Sequence, residues 1–429
     1  MPRAFCSAAP RGPMGTRFNE KVMLALGDPV GTTYRGFATN ANSIAGINFT
    51  MYEDRVYLID STLRDGEQRA DVAFSHLQRE QIARMLHAIG VSEIEVGTPA
   101  AGGDERESIR QIAQLGFDCR LTGWCRSLRA DLDAAEDADL RAVHFSLPVS
   151  CILLSTLGRS RAWVFQQLNV LLADALDRFD FVSVGLQDAS RTDTSFLIDL
   201  TCSAAMNGAN RVRLADTVGV WDPLQTWDVI SRVRDAVPDI VLGFHGHNDM
   251  GMATANTIAA IQAGVDCVDV TINGLGERAG NAALEEVAMA MKVILKQDVG
   301  LRTEQLMSLC EYVASASKTP NPPRKPIVGK QVFRHESGIH VRAMQKDRRS
   351  YEPFAPAEVG QSDSLTVLGK HSGRAAIHQT FAESGIELNA EQVAGLLKAV
   401  RQMSSSIGRS LKPAEVLELY EQQSKPDVF

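Results

Sequence analysis

"RVRLADTVGVWDPLQTWDVISRVRDAVPDIVLGFHGH", residues 211–247, holds one complete architectural unit of this chain. "RVRLAD" (211–216) is a short apolar run. "PLQTWDVISRVRDAV" is an amphipathic stretch with apolar residues at i, i+3, i+4 and i+7, and "IVLGFH" (240–245) is a second run. Strand, helix, strand predicts parallel pairing. The same rhythm supplies strands at "VYLID" (56–60), "EIEVG" (93–97), "CRLTGW" (119–124), "AVHFSLP" (142–148), "FVSVGL" (181–186) and "CVDVTIN" (267–273). Gly90, Gly116, Gly208 and Gly264 fall just past helical segments, where a C-terminal cap wants a left-handed residue. Eight strands with intervening helices match an α/β fold closed as a (β/α)8 TIM barrel better than an open doubly wound sheet. The open sheet stays as the alternative, because periodicity does not show closure.

The seventh strand ends in "GFHGHNDMG" (243–251), which puts His245 and His247 one residue apart. On a strand, residues i and i+2 point to one face, about 6–7 Å apart along the chain. Two imidazoles that close suit a single divalent metal if a carboxylate arrives from elsewhere. The alternative is a pair of hydrogen-bonded core histidines.

A barrel carries its chemistry at the C-terminal ends of its strands, and polar residues gather at that rim. They are Arg64 and Asp65 after strand 1, Glu95 on strand 2, Arg126 after strand 3, His144 on strand 4, and Gln187 and Asp188 after strand 5. Thr217 follows strand 6, and Asn281 follows strand 8. Asp65 therefore shares a rim with His245 and His247, and the three can form a facial metal site with open positions for substrate.

The chain of 429 residues, 45% hydrophobic and 22% charged, has the composition of an ordinary globular protein. A net charge of −8 argues against a general nucleic-acid binder and against docking on an anionic membrane. Seven scattered cysteines without a C-x-x-C pair suit reduced thiols in a cytoplasm. No membrane span or signal peptide is evident. Residues 1–54 mix Gly, Pro, Asn and Thr without periodicity and are expected to form a poorly ordered leader, a start placed too early, or a transit peptide. The catalytic barrel is expected over 55–316 and a linker and lid over 317–380, opening on the four prolines of "SKTPNPPRKPIVGK" (317–330). A small helical subdomain is expected over 381–429. Within the lid, His335, Ser337, His340 and Tyr351 lie among a run of Lys and Arg, which reads equally as a solvated face or as a functional strip.

Four motifs together resemble one family: "LIDSTLRDGEQ" (58–68), "HGHNDMGMATANTIAAIQAGVDCVDVTINGLGERAGNAALEEV" (245–287), "FRHESGIHV" (333–341) and "LGKHSGR" (368–374). They are similar to the Claisen-condensing barrel enzymes that include 2-isopropylmalate, citramalate and homocitrate synthases. "EVGTPAAGGDERE", "DASRTD" and "HESGIHVRAMQKDRRSYEPF" most resemble homocitrate synthases of the nitrogen-fixation type. The resemblance implies condensation of acetyl-CoA with a 2-oxo acid, 2-oxoglutarate, followed by thioester hydrolysis to homocitrate and CoA. It also implies a domain-swapped homodimer, and the leucine-binding regulatory domain of long isopropylmalate synthases is expected to be missing.

By the same resemblance Asp65, His245 and His247 hold a divalent cation (Zn, Mn, Mg, Fe or Co), with Asn281 as a supporting or fourth contact. Arg64 would stabilise the oxyanion. His340 would be the base, delivered by the partner subunit, with Tyr351 as a supporting acid. Gln68, Glu95, Arg126, His144 and Thr217 are the candidates for holding the oxo acid. One position departs from the pattern: where relatives carry a Glu before the Asp of "DASR", this chain has Gln187. An amide orients a ring but does not stabilise an imidazolium as a carboxylate does. The alternatives are a synthase using another 2-oxo acid, or a catalytically weak relative that binds metal and oxo acid. A lyase running the reverse cleavage is disfavoured, because "GLGERAGNA" resembles the synthase loop and lacks the lyase's cysteine.

Overall fold

The computed structural model describes residues 56–382 and 385–424; the leader expected over 1–54 lies outside the described residues. Eight strands form the barrel: β1 (Tyr57–Asp60), β2 (Glu93–Gly97), β3 (Arg120–Arg126), β4 (Ala142–Pro148), β5 (Phe181–Gln187), β6 (Arg211–Asp216), β7 (Val241–Gly246) and β8 (Cys267–Val270). Each pairs in parallel with the next, and β8 returns to β1 with Leu58 opposite Val268 and Asp60 opposite Val270. Closure removes the open-sheet alternative. β8 stops before the expected "TIN" because the backbone turns there: Thr271 pairs with Ala283, and Asn273 takes φ +61°.

Around the strands lie α1 (His76–Ile89), α2 (Gly103–Ala113), α3 (Arg129–Asp137), α4 (Cys151–Thr156), α5 (Arg161–Leu176), α6 (Thr194–Met206), α7 (Pro223–Ala236), α8 (Ala253–Gln262), α9 (Leu284–Ala290) and α10 (Leu306–Ala316). Their ends follow local chemistry. Ser75 and Gln78 make a reciprocal capping box at α1, and Asp222 and Gln225 do so at α7, where Pro223 takes the first helical position. All four glycines expected past helices have positive φ. At Gly90 a Cβ would also lie 2.8 Å from the Gly300 carbonyl oxygen, so glycine is required on two counts.

Period-two alternation divides the strands' side chains between two environments. Leu58, Val143, Phe145, Val184, Leu214, Phe244 and Val268 face the helices and form the main apolar core. The lumen is polar. Arg211 on β6 donates to both oxygens of Glu93 on β2 at 2.8 Å, and Arg213 donates to Glu95 at 2.7 Å. These strands lie on opposite sides of the eight-stranded barrel, so both pairs span the lumen. Buried charges of this kind are tolerated only when paired.

Beyond the barrel, Val328, Phe333 and Val359 of the linker pack into the barrel's own core. A second apolar cluster then begins. Val341 of α11 (Gly338–Met344), Ala376, Ile377 and Phe381 of α12 (Arg374–Ala382), Val393, Leu396 and Val400 of α13 (Ala390–Ile407), and Val416 of α14 (Pro413–Ser424) belong to it. Lid and terminal helices thus share one core. A short parallel pairing joins Arg334–His335 to Leu365–Thr366. Among the described residues no helix is long and apolar enough to cross a membrane.

Candidate active site

The turn after β1 places the first two groups. Its backbone folds back through the Arg64 and Gly66 N–H groups, both donating to the Ser61 carbonyl. Arg64 and Asp65 are consequently buried at the barrel mouth. Arg64 Nε donates to Glu95 Oε2 at 2.8 Å, and its guanidinium lies over the Trp124 ring at 5.7 Å.

His245 at the end of β7 and His247 just beyond it arrive from two strands away, across β8. His247 is held by a bridge to Asn281. The loop carrying Asn281 needs its glycines: at Gly280 (φ +89°) a Cβ would overlap the Gly274 carbonyl, and at Gly276 it would overlap the Asn281 amide. Asp65 Oδ2 lies 3.2 Å from His245 Nε2 and 3.5 Å from His247 Nε2, and the two nitrogens are 3.1 Å apart. These are the separations of three donors on one face of a single ion, whose bonds to such ligands are about 2.0–2.2 Å. Asn281 Oδ1 is buried at this site without a hydrogen-bond partner, while its Nδ2 donates to Asp65 Oδ2 at 3.1 Å. The donor set fits a divalent cation.

His245 is oriented from behind. Its Nδ1–H donates to Asp269 Oδ2 at 2.8 Å, which leaves the Nε2 lone pair facing Asp65 and His247. Burial disfavours a charged Asp65, but the Arg64 guanidinium and the adjacent imidazoles of His245 and His247 outweigh it and hold this carboxyl well below the usual range. Burial also lowers His245, yet the carboxylates of Asp269 and Asp65 raise it overall. Burial and the neighbouring His245 push His247 down to about 4.

The remaining sequence candidates occupy different settings. Glu95 is engaged by Ser61 Oγ (2.6 Å), Arg64 and Arg213, so its carboxylate fixes Arg64. His144 is buried in the wall, and burial followed by Arg213 pushes its pKa well down. Arg211 Nε donates to Ser183 Oγ at 2.9 Å, and that hydroxyl also hydrogen-bonds His144 Nδ1 at 2.8 Å, while His144 Nε2 pairs with Ser146 Oγ at 3.2 Å. Thr217 Oγ1 accepts from the Asp188 N–H at 2.8 Å.

Gln187 ends β5, half-buried, and its backbone carbonyl accepts from Val149 N–H. Asp188 turns into left-handed backbone (φ +66°), and its buried carboxylate is taken up by Arg191 and Ser150. Arg126 is exposed and doubly paired with Asp131 at 2.9 Å. Gln68 is exposed on the short helix Gly66–Gln68. His340 on α11 stacks on Tyr351 with centroids 3.9 Å apart and 25° between planes. Among the described residues, no hydrogen bond or ion pair joins that pair to the barrel mouth.

Asp269, Arg213, Ser61 and Arg278 belong to the site's framework and were not among the sequence candidates. Arg278 holds Asp249 through two bonds and donates to the Thr217 carbonyl. Strand parity could have found two of them: Arg213 shares a face with Arg211, and Asp269 shares one with Cys267.

The HMGL-like family model matches residues 55–313, and a homocitrate synthase post-HMGL domain-like model matches 327–407. A protein named 2-isopropylmalate synthase 2 from Caldanaerobacter subterraneus subsp. tengcongensis is 46% identical, over 85% of this chain and 95% of the relative. Homocitrate synthase 1 from Nostoc sp. is 44% identical, over 86% of this chain and 98% of the relative. In fold, the HMG-CoA lyase of Bacillus subtilis is similar, with a TM-score of 0.59 at 20% identity, covering 66% of this chain and 99% of that one. Barrel, rim cluster and sequence likeness lead to one conclusion: this chain belongs to the HMGL-like family and is an acyltransferase among its homocitrate and 2-isopropylmalate synthases.

Proposed function

We propose that this protein is a homocitrate synthase, joining acetyl-CoA to 2-oxoglutarate and releasing homocitrate and CoA. The observation that carries the reading is the convergence of Asp65, His245 and His247 beside Arg64 at the C-terminal end of the barrel. A divalent cation held by these three residues, with Asn281 Oδ1 beside it, would polarise the keto group of a 2-oxo acid as a Lewis acid. Zn, Mn, Mg, Fe and Co all suit two imidazoles and one carboxylate.

The chain's own residues supply the rest. Arg64, fixed by Glu95 and desolvated, faces the oxyanion that forms when the thioester enolate adds to the keto carbon. His340 takes the α-proton of acetyl-CoA, with Tyr351 stacked against it as the supporting acid. The enolate carbon bonds to the keto carbon, the keto oxygen is protonated, and water then cleaves the thioester to carboxylate and free thiol. Thr217 and His144 hold the oxo acid. In this reading His340 works from the partner of a domain-swapped homodimer in the cytoplasm.

A second reading is favoured by a specific observation. Arg126, the cation expected to meet a second carboxylate, is committed to Asp131, which suits 2-oxoisovalerate and a 2-isopropylmalate product. Turnover of purified protein with 2-oxoglutarate, 2-oxoisovalerate and pyruvate, following thiol release from acetyl-CoA, tests both. Highest kcat/KM with 2-oxoglutarate supports the first reading, preference for 2-oxoisovalerate supports the second, and no release with any of them rejects both.

A further inference from the structure

Six groups close a ring through the barrel lumen. Asp65 meets Arg64 at 3.6 Å, Arg64 meets Glu95 at 2.8 Å, and Glu95 meets Arg213 at 2.7 Å. Arg213 meets Asp269 at 2.5 Å, Asp269 meets His245 at 2.8 Å, and His245 returns to Asp65 at 3.2 Å. Acidic and basic side chains alternate around it, and every member is buried. Arg213 closes this ring from the lumen side. One of its nitrogens, Nη1, carries two N–H bonds and reaches both Glu95 Oε1 and Asp269 Oδ2. The first partner orients Arg64 and the second orients His245.

We infer that Arg213 is a positioning residue for the condensation, setting the metal-ligand histidine and the oxyanion arginine together while touching neither substrate nor metal. The inference rests on the functional reading above for its catalytic half. Both carboxylates are served from one nitrogen at the far end of the guanidinium, whereas the ammonium of a lysine sits on a shorter side chain and does not extend to that point. Without the double contact Asp269 and Glu95 each gain freedom to rotate, and Asp269 Oδ1, already buried without a hydrogen bond, offers an alternative face to His245. Both arms of the site then loosen at once.

Arg213→Lys tests this. The apoprotein titrated with Co²⁺, followed by its visible absorption, should bind about 10–100-fold more weakly than wild type, and kcat should fall by a similar factor. KM for acetyl-CoA should hold, because the ring does not reach that substrate. A folded variant that keeps wild-type Co²⁺ affinity, or keeps kcat, overturns the inference. The Co²⁺ titration needs no turnover, so an error in the functional reading and an error about Arg213 give different results. Glu95→Gln provides a second measurement that does not depend on the lysine variant folding. Glu95 contacts no atom of His245, and its Arg64 arm ends on the Nε2 side. With selectively ¹⁵N-labelled histidine, the His245 Nδ1 proton resonance should move if Arg213 transmits the change to Asp269. An unmoved resonance overturns the inference.

Discussion

Lys325 of the linker lies 2.9 Å from Glu285 at the start of α9, and Glu285 is fully buried. The other Glu285 oxygen accepts from the Asn273 N–H, at the root of the loop that carries Asn281. Lys325 also reaches Glu286 at 3.4 Å. One ammonium therefore ties the linker of the lid to the loop beneath the metal-ligand cluster. Burial lowers the Lys325 pKa, but Glu285 more than restores it, so the ammonium stays charged. Replacing it by Met leaves Glu285 buried and unpaired, a loss that costs about 3–5 kcal/mol where it has been measured. Lys325→Met should lower stability by about that amount in urea unfolding. A further Glu285→Leu change should recover much of it, because the unpaired charge is the main penalty. A loss below about 1 kcal/mol in the single variant would count against this tether.

Removing His247 removes one of three donors. His247→Ala should weaken metal binding by more than the 10–100-fold typical of a lost supporting partner, and should abolish turnover. Far-UV circular dichroism should stay that of the wild type. Wild-type metal content in the purified variant would reject the ligand assignment.

Asp60 gives stability a pH dependence of known sign. Burial, reinforced by the charges of Glu285 and Glu95 and opposed by hydrogen bonds from Thr62, pushes its carboxyl up to about 7. Between its ordinary range near pH 4 and pH 7, the folded state keeps a proton that the unfolded state has released. Its contribution is full below about pH 4 and is lost as pH rises through about 7. About three pK units correspond to about 4 kcal/mol. The difference between wild type and Asp60→Asn in unfolding free energy should therefore slope across this window and be flat above it. A difference curve flat throughout would contradict the assignment.

If His340 acts from the partner subunit, an inactive His340→Ala chain mixed with an inactive Asp65→Ala chain should regain activity. Each heterodimer would hold one intact site. Absence of recovery in verified heterodimers would place the base within its own chain.

Gln187→Glu restores a carboxylate at the end of β5. If that charge strengthens His340 as a base, exchange of acetyl-CoA α-protons with solvent should rise about tenfold, less than the ~10²–10⁴ carried by a whole base. Turnover should rise with it. If the site is adapted to the amide, the new half-buried charge should slow both.

The barrel was legible because its cause is local. Eight apolar runs, each followed by an amphipathic stretch or a glycine stop, are written in consecutive residues, and parallel pairing follows from the connections. Asp65, His245, His247, Arg64 and Asn281 were legible for the same reason, since each lies at a strand's C-terminal end. The tertiary structure decided closure itself, which pairs β8 with β1 across more than two hundred residues of sequence. It also decided which partners Glu95 meets in the lumen, namely Arg64 and Arg213. Arg126 was read as a candidate for holding the oxo acid, and the structure adds that Asp131, five residues on, folds back to pair with it. Arg213 and Asp269 meet only because β6 and β8 face one lumen, two strands apart. Sequence periodicity says which face of a strand a side chain takes. Which opposite charge awaits it there depends on closure and register, and those are properties of the whole barrel.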